Sequence, residues 1–317
     1  MAFLRLIRPI NLLVIALTMY SVRIYFLPYL ENQTKYGNEA LDFFILVFST
    51  ILIAAGGNII NDYFDVKADK VNKPEKVIIG RLIKPRWAIV THWLFNALAF
   101  SMACYLSWKH ETFWYVFIHL FSINALWFYS MQFKRKFFIG NLLIASLTGL
   151  VPILSGIYFL DITHPYSNTL FQTAPESWLT GMNLKIFFVL FFALFATGLN
   201  LVREIIKDME DIEGDKILRA KTIPIVWGIQ KTKWLAFSLM IVLFILPIPF
   251  IVEAWQIYHM DFLIAFSPAI LIVFGWLLAL ILLLKASERK HFKVINGLIK
   301  IIMIIGTCFP FYWHFYG

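Results

Sequence analysis

Apolar runs of about twenty residues recur along this chain, and no other feature constrains its fold as tightly. They fall near 10–30, 40–60, 87–107, 112–131, 138–160, 184–202, 233–253, 261–284 and 296–316. A run of that length crosses a bilayer as a helix, because in lipid every backbone N–H and C=O must be satisfied within its own segment. Composition agrees. Apolar residues make up 60% and charged residues 15%, with a mean hydropathy of +0.75. A soluble domain is roughly half apolar and a quarter charged. Arg5 and Arg8 ahead of the first run suggest a signal peptide, but that run extends to about Leu30 without a small-x-small cleavage site, so a retained helix is expected. The expected fold is all-α and integral to the membrane, a single domain over 1–317 with about nine transmembrane helices.

Basic residues give an orientation. The N-terminus and the connections after the second, fourth, sixth and eighth runs hold 23 of the 28 Lys and Arg. The opposite connections hold Lys35, Lys109 and Lys185, while Arg23 and Lys300 lie inside runs. The positive-inside rule then places the N-terminus and the charged connections in the cytoplasm. This topology accounts for most of the net charge of +9, which removes the case for a nucleic-acid partner. Arg23 either lines a polar cavity or snorkels to an interface. Cys104 and Cys308 sit far apart in apolar runs and read as small buried hydrophobes. None of the seven histidines has metal-ligand spacing, so no zinc or haem site is expected.

The informative polarity lies in two cytoplasmic segments expected as loops, Gly56–Lys76 and Asn200–Thr222. Asp62, Asp65 and Asp69 are spaced i, i+3, i+7, and Asp208, Asp211 and Asp215 repeat that spacing 146 residues later. On a helix three such positions lie within roughly 60° of one another. Like charges cluster at a cost unless a cation sits between them. Oxygen-only donors favour Mg²⁺ over zinc or copper, and Mg²⁺ typically completes its shell with waters and substrate phosphate oxygens. Interleaved Arg81, Lys134 and Lys207 point to a phosphorylated ligand, with Arg203 and Lys221 as further candidates. The repetition suggests two pseudo-repeated halves around a central cavity, with a ninth helix appended. Metal plus diphosphate in a lipid-embedded site fits departure of an allylic chain as a carbocation, which a dry, aromatic-lined cavity would protect. Only a handful of the 32 Phe are expected in such a wall.

These motifs resemble the UbiA superfamily of intramembrane prenyltransferases over essentially the whole chain. Its first motif, NDxxDxxxD, is matched by Asn61, Asp62, Asp65 and Asp69, with Asn58 at the preceding family asparagine, and its second by Asp208, Asp211 and Asp215. The resemblance implies that the acids and both asparagines bind Mg²⁺ and a polyprenyl diphosphate. Tyr129 and Lys134 stand for the family's tyrosine and basic residue, at a spacing wider than the common one. INDYFD, VNKPEK, REIIKDMEDIEGD and AKTIPIVWG are most similar to the digeranylgeranylglyceryl phosphate synthase branch, whereas VIIGR lacks the proline and serine many relatives carry. That branch attaches geranylgeranyl to a geranylgeranylglyceryl phosphate lipid, which implies a lipophilic acceptor and a bacterial or archaeal cytoplasmic membrane. An aromatic acceptor on the way to a quinone remains the alternative. A transporter would place its carboxylates near the bilayer midplane. A CDP-alcohol phosphotransferase would need a DGxxAR string, which is missing.

Overall fold

Helices form where the apolar runs lie, and the two acidic ones outgrow the bilayer. The computed structural model describes residues 2–27, 38–163, 184–248 and 267–316, and among these there is no strand. Helix α1 (Ala2–Ile7) is separated from α2 (Pro9–Phe26) at Arg8, whose φ of 56° breaks the ladder. Pro9 then restarts it, because its missing N–H would have no partner in a first turn. Asn38 caps α3 (Glu39–Asn72), accepting from the Leu41 amide, and Glu39 and Asp42 in the first turn complement the helix dipole. There follow α4 (Pro85–Lys109), α5 (Trp114–Met131), α6 (Ile139–Thr163), α7 (Leu184–Ile217), α8 (Ile223–Trp227), α9 (Ile229–Ile245), α10 (Ser267–Lys285) and α11 (Arg289–Tyr316). Six of these are long and apolar enough to cross a membrane: α2, α3, α4, α6, α7 and α11. The chain is therefore a multi-pass integral membrane protein.

The 34 residues of α3 and of α7 make helices about 51 Å long, against about 30 Å of hydrocarbon. The acidic segments expected as loops are thus the last turns of these two helices. The hydrogen-bond ladder has no reason to stop at Asp62 or Asp208, since no Gly or Pro intervenes before Lys73 and Gly214. Ring closure is simple: α2 packs on α3, α6 and α11, and α7 packs on the same three, with α5 against α3 and α6. One apolar core, including Phe26, Phe43, Leu106 and Phe159, joins α2 to α6. Another, including Ile205, Met240, Trp276 and Ile295, joins α7, α9, α10 and α11.

Three readings of single residues change. Arg23 does not line the cavity; from the last turn of α2 it pairs with Glu39, the first residue of α3, at 2.9 Å. Nearby, fully buried Asp42 takes Lys109 at 2.7 Å and His110 at 3.3 Å, at the end of the bundle away from the acids. Cys104 and Cys308 are free and exposed rather than buried, on helix faces turned outward.

Candidate active site

A cavity of about 250 Å³ lies inside the ring. Its deep wall is mostly aliphatic, built from Val14, Ile15, Ile53, Leu147, Val151 and Leu154, with Thr50, His119, Ser122 and Thr148 among them. Its other wall is polar: Arg8, Asn58, Asn61, Tyr129, Arg203 and Lys207 all face it. Among described Phe, Tyr and Trp residues, Tyr129 alone lines it, so the aromatic wall expected from composition is not there. The aromatic rings instead pack in the core, as Phe26, Phe43 and Phe159 do, or face outward, as Trp93, Trp108, Phe117 and Phe274 do.

The acids begin one turn beyond this wall. On α3, Asn58 lines the cavity and is fixed by donating to the Ile7 carbonyl at 2.9 Å, while Asn61 donates to Asp65 at 2.9 Å. Asp62 pairs with Arg8, and Asp65 with Lys134, whose ammonium also reaches Asn61 at 3.5 Å. Asp69 follows one turn later, half-buried. On α7, Asn141 of α6 donates to Asp208 at 2.8 Å, and Lys73 holds Asp211 at 2.9 Å and Glu210 at 3.2 Å. Asp215 is buried. Glu204, also buried, balances Arg203 at 3.0 Å and Lys207 at 3.2 Å.

Two contacts lock the triplets together. Asn72, the last residue of α3, donates to the Asp211 carbonyl at 3.1 Å and accepts from the Gly214 amide at 3.0 Å. Lys134 is the electrostatic link. Burial alone would lower its pKa, but Asp65, Tyr129 and Asp215 more than offset this and the net shift is upward. It therefore stays charged between the two carboxylate sets. Arg8 and Lys73 are shifted the same way: burial opposes their charge, and Asp62 and Asp211 respectively overcome it. The donor set is all oxygen. Among the described residues no three carboxylates or histidines converge into a ready-made cage. An all-oxygen donor set is of the kind that Mg²⁺ prefers.

Of the residues singled out from sequence, Asn58, Asn61, the two Asp triplets, Tyr129, Lys134, Arg203 and Lys207 are gathered at this one end of the cavity. Arg81 and Lys221 are not: both are exposed, and neither lines the cavity. Sequence reasoning passed over Arg8 and Lys73 as ordinary cytoplasmic cations, and over Asn72, Asn141 and Glu204 altogether. Glu204 had a signal available, a carboxylate one turn before Asp208 on the same helix.

A model of the UbiA prenyltransferase family matches residues 33–301. Digeranylgeranylglyceryl phosphate synthases are similar over most of the chain. That of Thermococcus sibiricus is 32% identical, covering 73% of this chain and 70% of its own. That of Methanobrevibacter smithii is 32% identical, covering 82% and 83%. Among solved structures, a digeranylgeranylglyceryl phosphate synthase superposes with a TM-score of 0.63 at 24% identity, over 99% of this chain and 97% of that one. A UbiA homologue from Archaeoglobus fulgidus bound to DMAPP and Mg²⁺ gives 0.58 at 16% identity, over 96% and 99%.

Proposed function

The chain belongs to the UbiA prenyltransferase family, and from that membership we propose that it moves a geranylgeranyl group from its diphosphate to a geranylgeranylglyceryl phosphate-type lipid, with Mg²⁺. The observation that carries this is the joining of two carboxylate triplets, with Lys134 between them, over a cavity of mostly aliphatic wall. An aliphatic wall suits a polyprenyl tail, and the charged end suits a diphosphate. The relatives' names support the choice of acceptor. The nine apolar segments would all cross the membrane, α5, α9 and α10 included, with the acidic helix ends and the N-terminus cytoplasmic.

In this reading Asp62, Asp65, Asp69, Asp208, Asp211 and Asp215 hold the metal, and Asn58 and Asn61 orient the first triplet. Bound Mg²⁺ would neutralise the diphosphate and make it a better leaving group. Lys134 and Lys207 contact the diphosphate directly, and Tyr129 and Arg203 complete the wall beside it. The allylic C1–O bond breaks with its electron pair going to the diphosphate. The acceptor hydroxyl oxygen bonds to C1, and its proton passes to the departing diphosphate. The aliphatic cavity keeps water from capturing the allylic cation.

The test is purified protein with Mg²⁺ and labelled geranylgeranyl diphosphate, offered geranylgeranylglyceryl phosphate, hydroxybenzoate, or no acceptor. The expected result is a diether in the first tube, lost with EDTA. Prenylated aromatic alone would overturn the acceptor and keep the chemistry.

A further inference from the structure

Lys300 stands out once the acidic end has been accounted for. It lies inside the membrane-spanning part of α11, faces the cavity, and is only part-buried by its neighbours. A cation in a span is costly and is normally paired with a carboxylate. Among the described residues Lys300 has instead a neutral partner, Asn11 of α2, whose side-chain oxygen lies 2.5 Å from its ammonium. Every other cation of the cavity wall has a carboxylate partner: Arg8 has Asp62, and Arg203 and Lys207 share Glu204. Arg8 and Arg203 line the same cavity as Lys300. The seam between α2 and α11 thus carries uncompensated positive charge facing the cavity, separate from the six aspartates at the mouth.

We propose that Lys300 and Asn11, with Arg203 alongside, form the subsite that binds the phosphate monoester of the lipid acceptor. A dianionic headgroup supplies the counter-charge this wall lacks, and Asn11 adds a hydrogen-bond donor through its amide nitrogen. The metal-loaded acids, Lys134 and Lys207 meanwhile take the donor diphosphate, and Arg203 borders both anionic groups. Lys300 is a specificity-determining residue, and it acts by positioning the acceptor. The proposal rests on the phosphorylated-lipid reading above.

The experiment compares wild type with Lys300→Met and Lys300→Arg in detergent, measuring KM for donor and acceptor separately. Geranylgeranylglyceryl phosphate and its dephosphorylated alcohol serve as acceptors. In wild type the phosphate form is expected to be preferred at least tenfold in kcat/KM. Lys300→Met should raise the phosphate acceptor's KM at least tenfold, leave donor KM within twofold, and erase the preference over the alcohol. Lys300→Arg should restore most of it. Unchanged donor KM in Lys300→Met shows that the fold survives. If wild type makes diether and Lys300→Met leaves acceptor KM and the preference unchanged, the subsite is refuted while the function stands. If wild type makes no diether, the function itself fails, and the subsite with it.

Discussion

At Gly214 the backbone of α7 lies against Asn72 and Ala68 of α3 beside the acids, and a single methyl group there tests whether that crossing assembles the site. A Cβ at 214 would lie 2.2 Å from Asn72 Nδ2, 2.8 Å from its Cγ and 3.1 Å from the Ala68 carbonyl. Asn72 cannot swing away freely, because its amide bridges the Asp211 carbonyl and the Gly214 amide. Displacing it forfeits two hydrogen bonds at about 1 kcal/mol each. Overpacking adds about 1–3 kcal/mol, and the better helix propensity of Ala returns about 1 kcal/mol. Gly214→Ala should therefore destabilise the protein by about 2–4 kcal/mol. It should also raise the Mg²⁺ concentration for half-maximal turnover, because Asp211 shifts relative to the α3 acids. In an Asn72→Ala background the main clash is gone, and the same substitution should be neutral or stabilising. Thermal unfolding followed by fluorescence of the 11 tryptophans, run on both singles and the double variant, measures this coupling. Equal losses from Gly214→Ala in both backgrounds, or none in either, would refute the crossing as the cause.

Asp65→Ala and Asp211→Ala should each abolish turnover while the protein remains folded and membrane-inserted; retained turnover at saturating Mg²⁺ would sink the metal-site assignment. Lys134→Met should cut kcat at least a hundredfold, with Lys134→Arg partly active, as removing one charged donor to developing negative charge does elsewhere; a change confined to KM would mean it serves ground-state binding only. Arg81→Gln and Lys221→Gln should leave donor KM within twofold, since neither faces the cavity; a larger rise would bring them back as diphosphate ligands. Asp42→Ala leaves buried His110 and part-exposed Lys109 without their shared carboxylate at the far end; a loss of about 1–3 kcal/mol is expected, read as reduced yield and thermal stability.

What could be read from sequence follows the range of the interactions involved. Membrane helices are written locally, in twenty-residue runs, so each apolar segment has a helix at its place. The triplet spacing is equally local: Asp62, Asp65 and Asp69 share a face on a helix wherever that helix packs. Helix length is the misleading part, because charge in a sequence reads as the end of a span, whereas helical hydrogen bonding continues through Asp69 and Asp215. Partner choices were out of reach. Arg8, Lys73, Lys134 and Arg81 look alike in sequence, and only packing assigns the first three to Asp62, Asp211 and Asp65 and leaves the fourth on the surface.

The distribution of charge around the cavity carries an argument about substrate direction. Negative residues dominate the projecting ends of α3 and α7, and each triplet already meets a cation there, Lys134 for the first and Lys73 for the second. A diphosphate arriving with metal would replace these internal pairs with stronger ones, drawing Lys134 from Asp65 toward phosphate oxygens. Behind it, the wall from Val14 to Leu154 is mostly aliphatic and offers ample contact for a hydrocarbon chain, with Thr50, His119, Ser122 and Thr148 as its few polar groups. In the proposed reading the donor's tail would point into the bundle and its leaving group toward the acidic helix ends. That arrangement lets the diphosphate depart without crossing the hydrocarbon, while the lipid product stays at the depth of the membrane where it belongs.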